Sequence, residues 1–243
     1  MCSPKIKNEL PLTANILILS AVFIISVWLW NTIWLYPVKL FVVGLHELSH
    51  GVAAVLLGGK IDHIQIDSQI GGYCVYALPM GAGFFQQSFV AAAGYLGSML
   101  WGALIFIVAS RTRFDRGITF FIALVMMVIS FYVIKTGQLF GILFCFAFTL
   151  FLLAAFRWFA PLFHKLFLKS LGLISCLYAI IDIKEDVIDR TGIGSDADRI
   201  AQLLGVPRLS MVIGISWIIL AILILAFTLK VSLKKTVTSS LGT

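Results

Sequence analysis

Within the stretch VVGLHELSHGVAAVLLGG, residues 42–59, two histidines and a glutamate interrupt an otherwise apolar run. On a helix, residues four apart lie on one face, so His46 and His50 can address a single ion. Glu47 then projects beside that ion without ligating it. This is the H-E-x-x-H arrangement, in which two imidazoles hold Zn²⁺ and the glutamate takes a proton from water. Bound zinc lowers the pKa of water to about 7, so hydroxide is available at neutral pH. With four His and three Glu in 243 residues, a random match is expected roughly once in a thousand such chains. The bland alternative is a pair of buried histidines satisfied by backbone, with Glu47 in an ion pair.

Which alternative holds depends on the element that carries the three residues. The chain is 60% hydrophobic and 12% charged, with a mean hydropathy of +1.04. Soluble domains carry about 25% charged residues. No charge falls between Glu9 and Lys39, Arg116 and Lys135, Lys135 and Arg157, or Arg208 and Lys230. Uncharged apolar runs of ~18 residues or more read as membrane spans. Ionisable groups inside a span are expensive and mark function by default, which favours the metal reading. The net charge of +7 sits in loops and tail, as lipid headgroups and topology signals demand. No basic patch is interleaved with aromatics, so no nucleic acid is expected. Cys2, Cys74, Cys145 and Cys176 have no metal-site or disulfide spacing.

The expected fold is an all-α polytopic membrane protein of six to seven transmembrane helices, with a small β-hairpin after the metal-binding helix. One membrane domain covers residues 1–243. Helices are expected at about 14–36, 38–57, 87–109, 117–134, 138–156, 160–181 and 209–229, before a basic tail at 230–243 with Lys230, Lys234 and Lys235. Lys5 and Lys7 precede the first helix, which is too long for a signal-peptide core. The sixth helix carries His164, Lys165 and Lys169 in its first half, so it either spans with snorkelling side chains or lies on the surface. Alternation in KIDHIQIDSQIGGYCVYALP, residues 60–79, predicts the hairpin. Ser195 and Asp198 form a capping pattern that opens a short helix, closed by Gly205 and Pro207.

Three segments together resemble the M50 family of intramembrane metalloproteases, the site-2 protease class, in its M50B-like branch. LHELSHGVAAVLLGG is similar to that family's metal-binding helix, AAAGYLGS (91–98) to its Ala-Gly-rich segment, and YAIIDIKEDVIDR with GSDA (178–197) to its acidic segment. They cover a core of about residues 38–200. The resemblance implies an intramembrane zinc endopeptidase that cleaves a transmembrane or membrane-adjacent segment of another protein. His46 and His50 would ligate Zn²⁺ and Glu47 would be the catalytic base. The hairpin would offer an edge strand to an unwound substrate. Close helix packing against the metal helix is sufficient to explain Gly94, Gly97, Ser98 and Gly102.

The family's familiar third ligand is an Asp in an Asp-Gly type motif, which does not occur here. The expected third ligand is Asp182, with Asp186 as the alternative. Asp182 is the first acidic residue after the sixth apolar run, and a carboxylate at that depth needs a partner. Counting spans from His50 brings the end of the sixth helix to the histidines' side, provided that helix crosses. His63 and His164 read as surface residues. The Lys and Arg count turns the site outward, whereas Lys5, Lys7 and the family's habit turn it to the cytosol. Two rival functions are a transporter that uses the three residues as a relay and a catalytically idle M50-like scaffold.

Overall fold

The computed structural model describes residues 12–190, 192 and 194–233. Lys5, Lys7, Cys2, Lys234 and Lys235 lie outside them. The elements run α1 (Leu12–Trp28), α2 (Tyr36–Leu56), β1 (Lys60–Ile66), β2 (Gly72–Ala77), α3 (Phe84–Arg111), α4 (Asp115–Ile134), α5 (Leu139–Trp158), α6 (Pro161–Ile183), α7 (Asp196–Leu203) and α8 (Leu209–Leu233). Among the described residues, six helices are long and apolar enough to cross a membrane: α2, α3, α4, α5, α6 with its continuation to Asp189, and α8. The protein is an integral, multi-pass membrane protein.

Two expectations about the helices change. The first apolar run is not one helix to residue 36, because α1 stops at Trp28 and the chain turns before α2 begins at Tyr36. Pro37 has no amide to give the Ile33 carbonyl, and its ring crowds that carbonyl, so a helix cannot run through. The break places Trp30 under the Lys39 ammonium, 4.3 Å from the ring centroid, and against Tyr178. The sixth helix is long and apolar enough to cross. Its polar half is buried: His164 is fully enclosed and shares a 2.9 Å hydrogen bond with Thr119. The surface reading of His164 is therefore corrected, since α4 covers it at the end of α6 remote from His46.

The core forms where α2 meets β1, α4 and α5, around Leu40, Phe41, Ile64, Ile66, Met126 and Phe148. The hairpin pairs antiparallel, with Ile64 opposite Cys74 and Gln65 opposite Tyr73. Its β1 edge is covered. Lys135 Nζ donates to the Asp62 carbonyl at 2.9 Å, and a Cβ on Gly141 of α5 would lie 2.7 Å from the Ile66 carbonyl oxygen. The other edge, on β2, pairs with no further strand among the described residues and faces Glu47 at Cys74.

Glycines set the close approaches of α3. A Cβ on Gly97 would collide with Ser49 of α2, and one on Gly102 would lie 2.9 Å from the Cys176 amide of α6. The Ala-Gly-rich segment thus packs on α2 at Gly94 and Gly97, as expected, whereas the partner of Gly102, further along α3, is α6. Gly172 of α6 completes that crossing, where a Cβ would lie 2.7 Å from the Phe106 amide. Gly172→Val should destabilise the fold by about 1–3 kcal/mol through overpacking. Thermal unfolding in detergent reads this, and Leu143→Ala on an exposed face of α5 should leave the transition almost unmoved.

Candidate metal centre

His46, Glu47 and His50 occupy the second half of α2, where neighbouring elements enclose them. His50 Nδ1 sits 2.7 Å from the Val90 carbonyl of α3. A carbonyl can only accept, so Nδ1 carries the proton and Nε2 presents its lone pair. The two Nε2 atoms lie 3.1 Å apart.

The carboxylate that meets them belongs to Asp196, not to Asp182 or Asp186. Its Oδ2 lies 3.3 Å from His46 Nε2 and 3.2 Å from His50 Nε2. The chain reaches this point through Gly192 and Gly194, at φ +80° and +86°, a region that side chains disfavour. The capping box expected at Ser195 and Asp198 is present: the Ser195 hydroxyl accepts from the Asp198 amide, and Asp198 Oδ2 accepts from the amides of Ser195 and Gly194. It makes Asp196 the first residue of α7 and aims its carboxylate back at α2. Ala197 and Ile200 lock α7 into a cluster with Tyr95, Ile183, Val187 and Trp217.

The sequence reading missed Asp196, although its capping pattern flagged the start of this helix. Asp182 lies at the correct end of α6, within electrostatic range of His46, but it accepts the Tyr178 hydroxyl. Lys39 is close enough to Asp182 and Glu185 to feel both charges. A carboxylate at this depth needs a partner, and Tyr178 with Lys39 supplies it. Asp186 sits in a π-helical turn, Lys184–Asp189, that continues α6. It accepts the Tyr95 hydroxyl at 2.8 Å and pairs with Arg190. Tyr95 in turn stands edge-on to the His46 ring, centroids 4.7 Å apart. Asp189 pairs with Lys184, and His63 with Asp62 in the hairpin.

Three observations test whether these residues fit a metal ion. A tetrahedral ion with bonds of ~2.0–2.1 Å has ligand–ligand edges of about 3.3–3.4 Å, close to the 3.1, 3.3 and 3.2 Å found here. Asp196 Oδ2 is buried and has no hydrogen bond of good geometry. A Cβ on Gly94 would overlap Nε2 of both histidines, so only glycine leaves the space they face open. The donor set of two imidazoles and one carboxylate fits a zinc-type ion with a free fourth position.

Glu47 is 6% exposed and does not join the three converging atoms. It receives the backbone amide of Cys74 from β2. Its Cγ lies beneath Gly72, where a Cβ would approach to 3.1 Å. The carboxylate is thus held between the paired imidazoles and the uncovered edge of β2.

The family model described as Peptidase M50B-like matches residues 19–228, most of the chain. The protein belongs to the M50B-like family. No curated protein and no solved structure matches the chain. The match spans α2, the hairpin, α7 and the greater part of α8, so all the residues of this M50B-like site fall within it.

Purified Asp196→Ala protein should lose most of its bound divalent metal, whereas Asp182→Ala should retain it. Gly94→Ala should behave like Asp196→Ala, because its methyl group takes the space between the imidazoles. Metal stoichiometry of the purified variants decides both points. Retention by Asp196→Ala with loss by Asp182→Ala would return the third ligand to α6.

Proposed function

We propose that this M50B-like protein is an intramembrane zinc endopeptidase that cleaves a transmembrane or membrane-adjacent segment of another membrane protein. The observation that carries the reading is the convergence of His46, His50 and Asp196 with Glu47 beside them, inside a membrane bundle. His46, His50 and Asp196 would hold the ion. When bound, it supplies Lewis acidity that makes water a nucleophile and polarises the scissile carbonyl. Glu47 accepts the proton of the attacking water on a carboxylate oxygen, and returns it to the leaving amine nitrogen.

A helical substrate hides its carbonyls in its own hydrogen bonds, so the cleaved segment must be extended. The uncovered β2 edge beside Glu47 suits such a segment, which would add as a further strand. Ile64 and Ile66, on the covered strand, are fully buried and belong to the core. The substrate-facing role is therefore assigned to β2.

Glu47→Gln should keep its zinc and lose cleavage by at least about 100-fold, the scale of a lost general base. His46→Ala should lose both. Zinc content, measured beside cleavage of a membrane-protein substrate in detergent, checks the pair. Zinc loss by Glu47→Gln equal to that of His46→Ala would make Glu47 a ligand instead of a base.

A further inference from the structure

Beyond the metal centre, a cavity of about 430 Å³ opens between β2 and α7. Tyr76 and Leu78 form one wall, Arg199, Gln202 and Leu203 the other, and Gln87 of α3 lies at the end. Both walls begin at the site. Two residues before Tyr76, Cys74 gives its amide to Glu47, and three residues before Arg199 stands Asp196. The groove thus adjoins the candidate metal centre, with Tyr76 in electrostatic range of Asp196, and it lies along β2, which pairs with no strand but β1 among the described residues.

Its charge is one-sided. Arg199 is the one charged residue in the lining. Its guanidinium lies over the Tyr76 ring, 5.7 Å from the centroid, and has no carboxylate partner among the described residues. Residues three apart share a helix face, so Arg199 sits just under one turn, about 4.5 Å, along α7 from Asp196. Five guanidinium N–H donors in a fixed fork match a carboxylate. Tyr76 and Gln202 add neutral polar groups to the lining, and Gln87 gives its side-chain amide to the Ala82 carbonyl.

We propose that this groove is a substrate subsite for an aspartate or glutamate side chain of the cleaved segment, with Arg199 as its counter-charge. The inference rests on the protease reading and deepens it. A strand rises ~3.3 Å per residue, so a segment added to β2 places its acidic residue about two residues from the scissile peptide. The carboxylate pairs with Arg199, while the backbone follows β2 toward Glu47. A lipid phosphate would satisfy Arg199 equally well, but it would not require the groove to lead into the metal centre.

The test uses full-length protein in detergent and a set of quenched fluorogenic peptides that carry Glu, Gln or Lys at each position in turn. At one position, near the bond located by mass spectrometry, wild type should cut the Glu peptide about tenfold more efficiently than the Lys peptide, as expected of a charge-assisted contact. Arg199→Glu should invert that preference, and Arg199→Gln should abolish it. Loss of packing alone would slow all peptides together without inversion. An unchanged preference in Arg199→Glu overturns the proposal. So does a uniform rate loss that appears only with anionic lipid present, since that marks a headgroup contact. Labelled Glu and Lys peptides are also titrated against Glu47→Gln and Glu47→Gln/Arg199→Glu protein by fluorescence anisotropy. If no peptide is cut but binding shows the preference and its inversion, the groove stands and the protease reading falls. If peptides are cut with no preference in rate or binding, the groove falls and the protease reading stands.

Discussion

Two imidazole nitrogens and a carboxylate oxygen converge to within 3.3 Å of one another inside a membrane-spanning bundle. Electron-rich atoms do not pack so closely in a poorly hydrated interior without something positive to share. That requirement organises the surrounding structure. One imidazole is turned by the Val90 carbonyl, the other is flanked by Tyr95, and the carboxylate is held by the first turn of a short helix. Each support comes from a segment distant in sequence, so the site exists only when α2, α3 and α7 are assembled.

Assembly depends on how closely backbones can approach. Gly94 leaves room beside both histidines, Gly97 lets α3 rest on Ser49, and Gly102 with Gly172 brings α3 against α6. Small residues serve this purpose in membrane bundles, where lipid offers no hydrophobic gain for helix association. The same α3 therefore shapes the candidate metal centre and ties it to α6, whose far end carries the acidic segment.

That acidic segment supports the site at one remove. Asp186 in the π-helical turn takes the Tyr95 hydroxyl, and Tyr95 abuts the His46 ring. π-turns often occur at functional sites, because the extra residue re-aims the side chains that follow. Asp182 answers to Tyr178 and lies near Lys39, whose ammonium is stacked over Trp30. The buried charges thus divide into two groups. One converges on the position suited to an ion, and the other is neutralised by protein partners.

Much of this is local and was legible in the sequence alone. Hydropathy follows from residue type, so the membrane class and the spans from α2 onward could be read directly. The i, i+4 spacing of His46 and His50 follows from helix geometry, the hairpin from its alternation, and α7 from the Ser195–Asp198 cap. The break before α2 was less visible, because Pro37 lies just beyond a run that looks uniformly helical. The third carboxylate was beyond local reading. Asp182 and Asp196 are both acids near the end of the same apolar segment, and burial penalises either one. Which of them meets the histidines depends on the turn through Gly192 and Gly194 and on where α7 docks against α3 and α8. Asp196 lies 146 positions from His50 in the chain and 3.2 Å from it in space. Packing over that separation decides the pairing, and no local pattern encodes it.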